Sequence, residues 1–258
     1  SLHNTSALIE NVGVLMPFVA TRYDTYNVGG LGLANQSPVG TLAPFVHIRR
    51  STIACGDDSF EFTGSSTAPT NNILVEDSYM GSGDGGNNHG HVHHITYRNI
   101  MMNNTHLGFF LKTGNNKNNW NGHVYAMTYE NIHMNNVDNG FVVDEYYGTN
   151  QNGTTSNVSM HNIVLNGISG TVVGSAMCLD CALNADDDPS GKKHGMCNNF
   201  TFNDINLTPS NFAKKYGRKP GFYYKGPPVT VLEPVHNVNP FNKSCIATTS
   251  GNSITYSS

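Results

Sequence analysis

One short pattern recurs along this chain: apolar and polar residues alternate, then comes Asn or Asp, then an aliphatic residue. It appears as Leu8-Ile9-Glu10-Asn11-Val12, as Ile73-Leu74-Val75-Glu76-Asp77, and as Ile95-Thr96-Tyr97-Arg98-Asn99-Ile100. Met127-Thr128-Tyr129-Glu130-Asn131-Ile132, Val158-Ser159-Met160-His161-Asn162-Ile163 and Phe200-Thr201-Phe202-Asn203-Asp204-Ile205 continue it. His47-Ile48-Arg49-Arg50-Ser51-Thr52-Ile53 is a weaker copy. The marked positions Asp77, Asn99, Asn131, Asn162 and Asp204 lie 22, 32, 31 and 42 residues apart. Alternation of period two specifies a strand. A second apolar strand often follows, as in Gly108-Phe109-Phe110-Leu111 and Gly140-Phe141-Val142-Val143.

Strands of one type returning every ~20 to 40 residues specify a solenoid whose coils stack in parallel, roughly 4.8 Å apart. The marked Asn residues then form a ladder of side-chain amides along the stack. The expected fold is all-β, a single right-handed parallel β-helix domain over residues 1–258. A β-sandwich is the alternative, but a sandwich has no reason to repeat an Asn-Ile step in register. After Pro209 the pattern stops, and Pro220, Pro227, Pro228, Pro234 and Pro240 do not suit central strands. Residues 209–258 are therefore expected to be an irregular C-terminal tail packed on the coil.

Composition narrows the function classes. Charged residues are 12% of the chain, against a usual share of about 25%. Asn, Gly, Thr and Ser fill the polar positions, which suits tight turns rather than helices. A net charge of -4 with no long charge run excludes a nucleic-acid footprint. No apolar run approaches the ~20 residues of a membrane span, and no signal peptide is visible, so a secreted protein would be a processed form. Acceptor tripeptides at Asn4, Asn35, Asn103, Asn152, Asn157, Asn199, Asn206 and Asn242 point to a secreted, extracellular glycoprotein. The five cysteines, Cys55, Cys178, Cys181, Cys197 and Cys245, leave at least one thiol unpaired or bonded elsewhere. A zinc site is disfavoured, because only Cys178 and Cys181 are closely spaced.

Asp57 and Asp58 stand between two strands, in Ala54-Cys55-Gly56-Asp57-Asp58-Ser59-Phe60-Glu61-Phe62. Adjacent carboxylates repel, which favours keeping a proton on one of them. A proton-carrying acid beside an ionised base is what glycoside hydrolysis needs. A bare pair of aspartates is usually a solvated turn. Stacking raises its weight: Asp24 falls one coil earlier, Asp84 one coil later, Lys112 on a further coil and Tyr147 on the next.

These residues, in this order and spacing, resemble glycoside hydrolase family 28, the polygalacturonases and rhamnogalacturonan hydrolases. That family carries N-T-D, D-D, G-H-G and R-I-K in sequence. Here D-D is similar to Gly56-Asp57-Asp58, and G-H-G to Gly83-Asp84-Gly85 with its His replaced. R-I-K-T resembles Phe110-Leu111-Lys112-Thr113 with its Arg replaced, and N-T-D resembles Arg22-Tyr23-Asp24. The family's later sugar-binding tyrosine falls on Tyr147, and its late disulfide resembles Cys181 with Cys197. Asn71-Asn72-Ile73-Leu74-Val75-Glu76 is similar to the rhamnogalacturonan hydrolase branch. The resemblance covers roughly residues 8 to 208, and the family's first coils are expected to be missing.

The resemblance implies an inverting hydrolysis of α-linked, galacturonate-containing pectic polysaccharide, with no cofactor and no metal. It implies Asp57 as general acid, Asp24 and Asp58 positioning water, and Lys112 binding a substrate carboxylate. Asp84 and Tyr147 complete the substrate site. Loss of the Arg removes a bidentate partner for a second uronate, so an alternating or substituted pectin suits the site better than plain homogalacturonan. No membrane or nucleic-acid partner is expected. The protein is expected to act as a monomer, or together with a separate N-terminal fragment. A polysaccharide lyase and a non-catalytic carbohydrate-binding relative remain as rivals.

Three further features have plain readings. His89, His91, His93 and His94 can bind metal from one strand face, but a solvated turn leading into the strand at Ile95 is the expected reading. Asp186-Asp187-Asp188 lacks the spacing of a calcium loop and is expected to be solvated. Trp120, Tyr146 and Tyr147 suit either sugar stacking or core packing, and Glu61 and Asp144 lie beside the proposed site.

Overall fold

The computed structural model describes residues 6–15, 30–114, 121–147, 157–180, 197–211, 222–225, 235–236, 246–250 and 253–257. The chain winds as a right-handed parallel β-helix. Its first coil holds β1 (Ala7–Glu10), β2 (Gly13–Leu15) and β3 (Leu31–Leu33). The second holds β4 (Val46–Arg49) and β5 (Thr52–Gly64), and the third is one continuous run, β6 (Thr70–Gly90). Then come β7 (Val92–Asn103) with β8 (Leu107–Gly114), and β9 (Asn121–Val137) with β10 (Asn139–Tyr147). β11 (Asn157–Val172) with β12 (Met177–Asp180), and β13 (Cys197–Pro209) with β14 (Phe222–Lys225), complete the described coils. Two-residue β15 (Val235–His236) pairs with β13, and β16 (Ile246–Ser250) forms an antiparallel hairpin with β17 (Ser253–Ser257). The stretch after Pro209 is thus not wholly irregular: β14 and β15 each add a parallel rung to the stack.

Alternation along each strand decides what points inward. Val46, Ile73, Ile95, Met127, Ile163 and Phe200 form one inward row through successive registers, all buried. Ile48, Val75, Tyr97, Tyr129, Leu165 and Phe202 form the next. Inside this row Tyr97 and Tyr129 stack with centroids 5.4 Å apart and planes 4° apart. The outward row beside it alternates in charge, Glu10, Arg49, Glu76, Arg98 and Glu130, each the register partner of the next. Arg98 Nε donates to Glu130 Oε2 at 3.0 Å, and its guanidinium lies 3.8 Å from Glu76.

The turns explain the repeated Asn. Asn11, Arg50, Asp77, Asn99, Asn131 and Asp204 all sit at φ between 49° and 56°, where Asn and Asp are tolerated best. Asn99 Nδ2 donates to Asp77 Oδ1 at 2.8 Å, and Asn131 Nδ2 to Asn99 Oδ1 at 2.7 Å. Asn162 does not belong to this ladder. The register sets Asn166 against Glu130 and Ile168 against Ile132, so Gly167 stands opposite Asn131, with φ 69°. Asn162 lies at the preceding turn, in a row with Asn72, His94, Ala126 and Asn199, and accepts from the Asn199 amide.

Candidate active site

Strands β5, the second half of β6, β8, β10, β12 and β14 stack into one wall. The described side chains of its inward rows are apolar: Phe60, Phe109, Phe141 and Met177 in one, which also passes through Gly86, and Phe62, Leu111, Val143 and Leu179 in another. Its outward residues are polar or charged at Glu61, Lys112 and Asp144.

Asp57 and Asp58 enter this wall through an irregularity. Cys55 pairs with Ser82, whereas Asp58 pairs with Asp84, so β5 carries one residue more than β6 between those points. A bulge of this kind leaves ladder groups unpaired and re-aims side chains. Here the Cys55 thiol donates toward the Asp57 carbonyl at 3.3 Å and the Asp58 carbonyl at 3.5 Å. Burial pushes that thiol's pKa up, which keeps its hydrogen in place. The Asp58 carbonyl also accepts from Gly30 N at 2.7 Å, which ties the bulge to the preceding coil. A Cβ at Gly30 would lie 2.5 Å from the Ser59 carbonyl oxygen, so only glycine fits that approach.

Asp58 is 7% exposed, and Asp57 is half-buried. Lys112 Nζ lies 4.0 Å from Asp58 Oδ2, and also sits 5.6 Å from the centre of the Phe110 ring. At an effective dielectric of about 20 such a charge pair attracts by ~4 kcal/mol, and desolvation offsets much of that. Lys112 is in register with Asp144, Asp144 with Asp180, and Asp180 with Lys225. Along the stack Lys112 is thus in register with Asp144 on one side and His89 on the other, while Asp58 reaches its ammonium from an earlier coil.

The other expected residues fall as follows. Asp84 has its backbone in register with Asp58 on one side and Leu107 on the other. Tyr147 pairs with Gly114, one coil beyond Lys112 and past a register shift. The side chains of Asp84, Tyr146 and Tyr147 are outside the described set, as are Asp24, Trp120, Cys181, Cys245 and Asp186 to Asp188. Cys197 is disulfide-bonded, to a partner outside the described residues, and Cys55 is a buried thiol.

Two expectations need correction. Asn35 is not an available glycan acceptor in this fold: it is 1% exposed, and its Nδ2 donates to the Pro44 and Asn71 carbonyls, both at 2.8 Å. A glycan on that nitrogen has no room. Asn103, Asn199 and Asn206 have side chains at the surface, and Asn4, Asn152, Asn157 and Asn242 have none described. The histidines after Gly90 are not a solvated turn either. His91 and His93 are buried, and only His94 is exposed. Among the described residues no three potential ligands gather to hold a metal ion, and no helix is long and apolar enough to cross a membrane.

Residue-level reading from sequence missed the role of Cys55, although it stands two positions before Asp57. It also missed His123 and Tyr125, which pack against the buried histidines, and His161, which stacks on Tyr125.

The described coils define a solenoid of the parallel β-helix class, with an acidic pair in a bulge of one wall. The chain belongs to glycosyl hydrolases family 28, whose family model matches residues 41–218. The family consists of glycoside hydrolases associated with pectin breakdown. The matched stretch contains Asp57, Asp58, Asp84, Lys112 and Tyr147, and leaves Asp24 outside it. No curated protein matches the chain.

Proposed function

We propose that this protein hydrolyses α-linked, galacturonate-containing pectic polysaccharide outside the cell, with inversion at the anomeric carbon. The observation that carries this reading is the Asp57–Asp58 pair, held in a bulge of the wall with Lys112 beside Asp58. Asp57 protonates the leaving glycosidic oxygen as the bond to the anomeric carbon breaks. Asp58 and Asp24 orient a water on the opposite face of the ring and take its proton, so that water is added across the bond. The ammonium of Lys112, beside Asp58, attracts a substrate carboxylate from the same position.

The residues in place of the family's His and Arg set the substrate. With Phe110 where an Arg would stand, a second uronate has no bidentate partner, which favours an alternating or substituted pectin over plain homogalacturonan. Asp84 binds sugar hydroxyls, and Tyr147 lies against the sugar from the next coil. A Cys181–Cys197 disulfide, and glycans at the surface acceptors, belong to the same reading as a secreted protein.

The test is incubation with a panel of pectins, products identified by mass and the new anomer by NMR. Asp57→Asn should lose about 10²- to 10⁴-fold in turnover, the usual range for a general acid. Turnover near wild type in that variant would remove Asp57 from the acid role. An unsaturated, ultraviolet-absorbing product would make the protein a lyase instead, and binding without any product would make it a carbohydrate-binding relative.

A further inference from the structure

A second gathering of titratable groups lies where the site wall ends. β6 stops at Gly90 and β7 starts at Val92, so the chain leaves the wall through His91 alone. The next coils bring aromatic rings to that corner. His93 and Tyr125 are register partners, and so are Tyr125 and His161. His93 stacks on Tyr125 with centroids 4.6 Å apart and planes 17° apart, and Tyr125 stacks on His161 at 5.2 Å and 7°. His91 meets His93 at 5.6 Å and His123 at 5.5 Å, and His123 meets His161 at 5.9 Å. His93 Nδ1 lies 2.8 Å from His94 Nδ1, so one nitrogen donates and the other accepts.

We propose that the five contacting imidazoles of His91, His93, His94, His123 and His161 form an acid-operated weak point of the coil. Uncharged, they cement three successive coils. Charged, they repel one another across centroid distances of 5.0 to 5.9 Å and loosen the corner that adjoins the site wall. Protonating both His93 and His94 also turns their facing nitrogens into two donors and ends their hydrogen bond.

No opposite charge offsets this among the described side chains. By register, β6 brings Thr70 and Asn71 to the corner, β9 brings His123 and Tyr125, β11 brings Ser159 and His161, and β13 brings Asn198. None is a carboxylate, and burial raises the Tyr125 pKa, so its hydroxyl stays neutral. His89 is the remaining titratable group nearby in the chain. Burial lowers the His93 pKa to about 4, with repulsion from His94 and His91 adding to it. Burial, then the charge of His123, lowers His91, against an opposing backbone contact from Ser66. Burial and then His123 lower His161 in the same way.

An unfolded histidine titrates near pH 6.5, above the folded value of about 4 for His93. Between those values the unfolded chain takes up protons that the fold refuses. Stability is therefore complete above pH 6.5 and is lost progressively as pH falls to about 4.

Thermal unfolding from pH 7 to pH 4 tests this on the whole chain, with no need for a substrate. Asn already occupies the row of His93 and His161 at Asn71 and Asn198, so His93→Asn with His161→Asn is the matched variant. The wild-type Tm should fall by several degrees, and the variant's fall should be clearly shallower. NMR titration of the wild-type His93 ring provides an independent readout and should give a midpoint below pH 5. Equally steep falls, or a His93 midpoint near pH 6.5, would overturn the proposal. If the variant does not fold, the wild-type titration decides alone.

Discussion

At the scale of single residues, the turn that holds Asn11, Asp77, Asn99 and Asn131 in successive coils is the most constrained point. Asn131 combines a left-handed backbone, φ 53°, with an amide that donates to Asn99. Asn131→Val should cost about 2 to 3 kcal/mol, from strain of ~1–2 kcal/mol and a lost hydrogen bond of ~1 kcal/mol. Asn131→Gly should cost about 1 kcal/mol or less, because Gly167 already fills the same place one coil later and no strain arises. Urea unfolding of the two variants would show the difference, and equal costs would mean that strain contributes nothing. The repeat of Asn before an aliphatic residue was legible in the sequence because only a few residue types accept this conformation. The same economy of types hid a slip: His161-Asn162-Ile163 imitates Glu130-Asn131-Ile132, yet Asn162 turns the previous corner. Two turns per coil use the same residue, and only the pairing register tells them apart. Asn35 shows a related limit, since a tripeptide specifies an acceptor but not the loop that encloses it.

At the scale of elements, β7 and β9 meet inside the coil through Tyr97 and Tyr129. The Tyr129 hydroxyl is buried with no hydrogen-bond partner among the described residues. Burial and the neighbouring Tyr97 push its pKa well up, so it stays protonated. An unpartnered buried hydroxyl costs about 1 to 3 kcal/mol. Tyr129→Phe should therefore leave stability unchanged or raise it by ~1 kcal/mol, seen as a Tm about 2–4 °C higher. A drop in Tm would show that the hydroxyl has a partner. The site wall was partly legible at this scale. Stacking arguments brought Asp57, Asp58, Asp84 and Lys112 to one set of strands. The bulge in β5 was not legible, because an extra residue is defined only against its partner strand. The histidine corner was misread for the same reason: the ring stacked on His93, Tyr125, lies on β9, and the ring behind it, His161, on β11, both far away in sequence.

For the whole molecule, each coil touches only its neighbours, so stability is close to a sum along one axis. Amides in β7 and β9, which are paired on both sides, should exchange with solvent most slowly, and those of β1, paired only with β4 among the described strands, much faster. Uniform protection measured by hydrogen exchange would instead mean one all-or-none unit.

The alternating outward row from Glu10 to Glu130 has a consequence for how the tube assembles. Its ion pairs are largely at the surface and are worth little one by one, in the range of 0 to ~1 kcal/mol. Their sequence of signs nonetheless works as a parity check. If a rung were skipped during winding, Arg49 would meet Arg98 and Glu76 would meet Glu130, so each misplaced neighbour would repel where the correct one attracts.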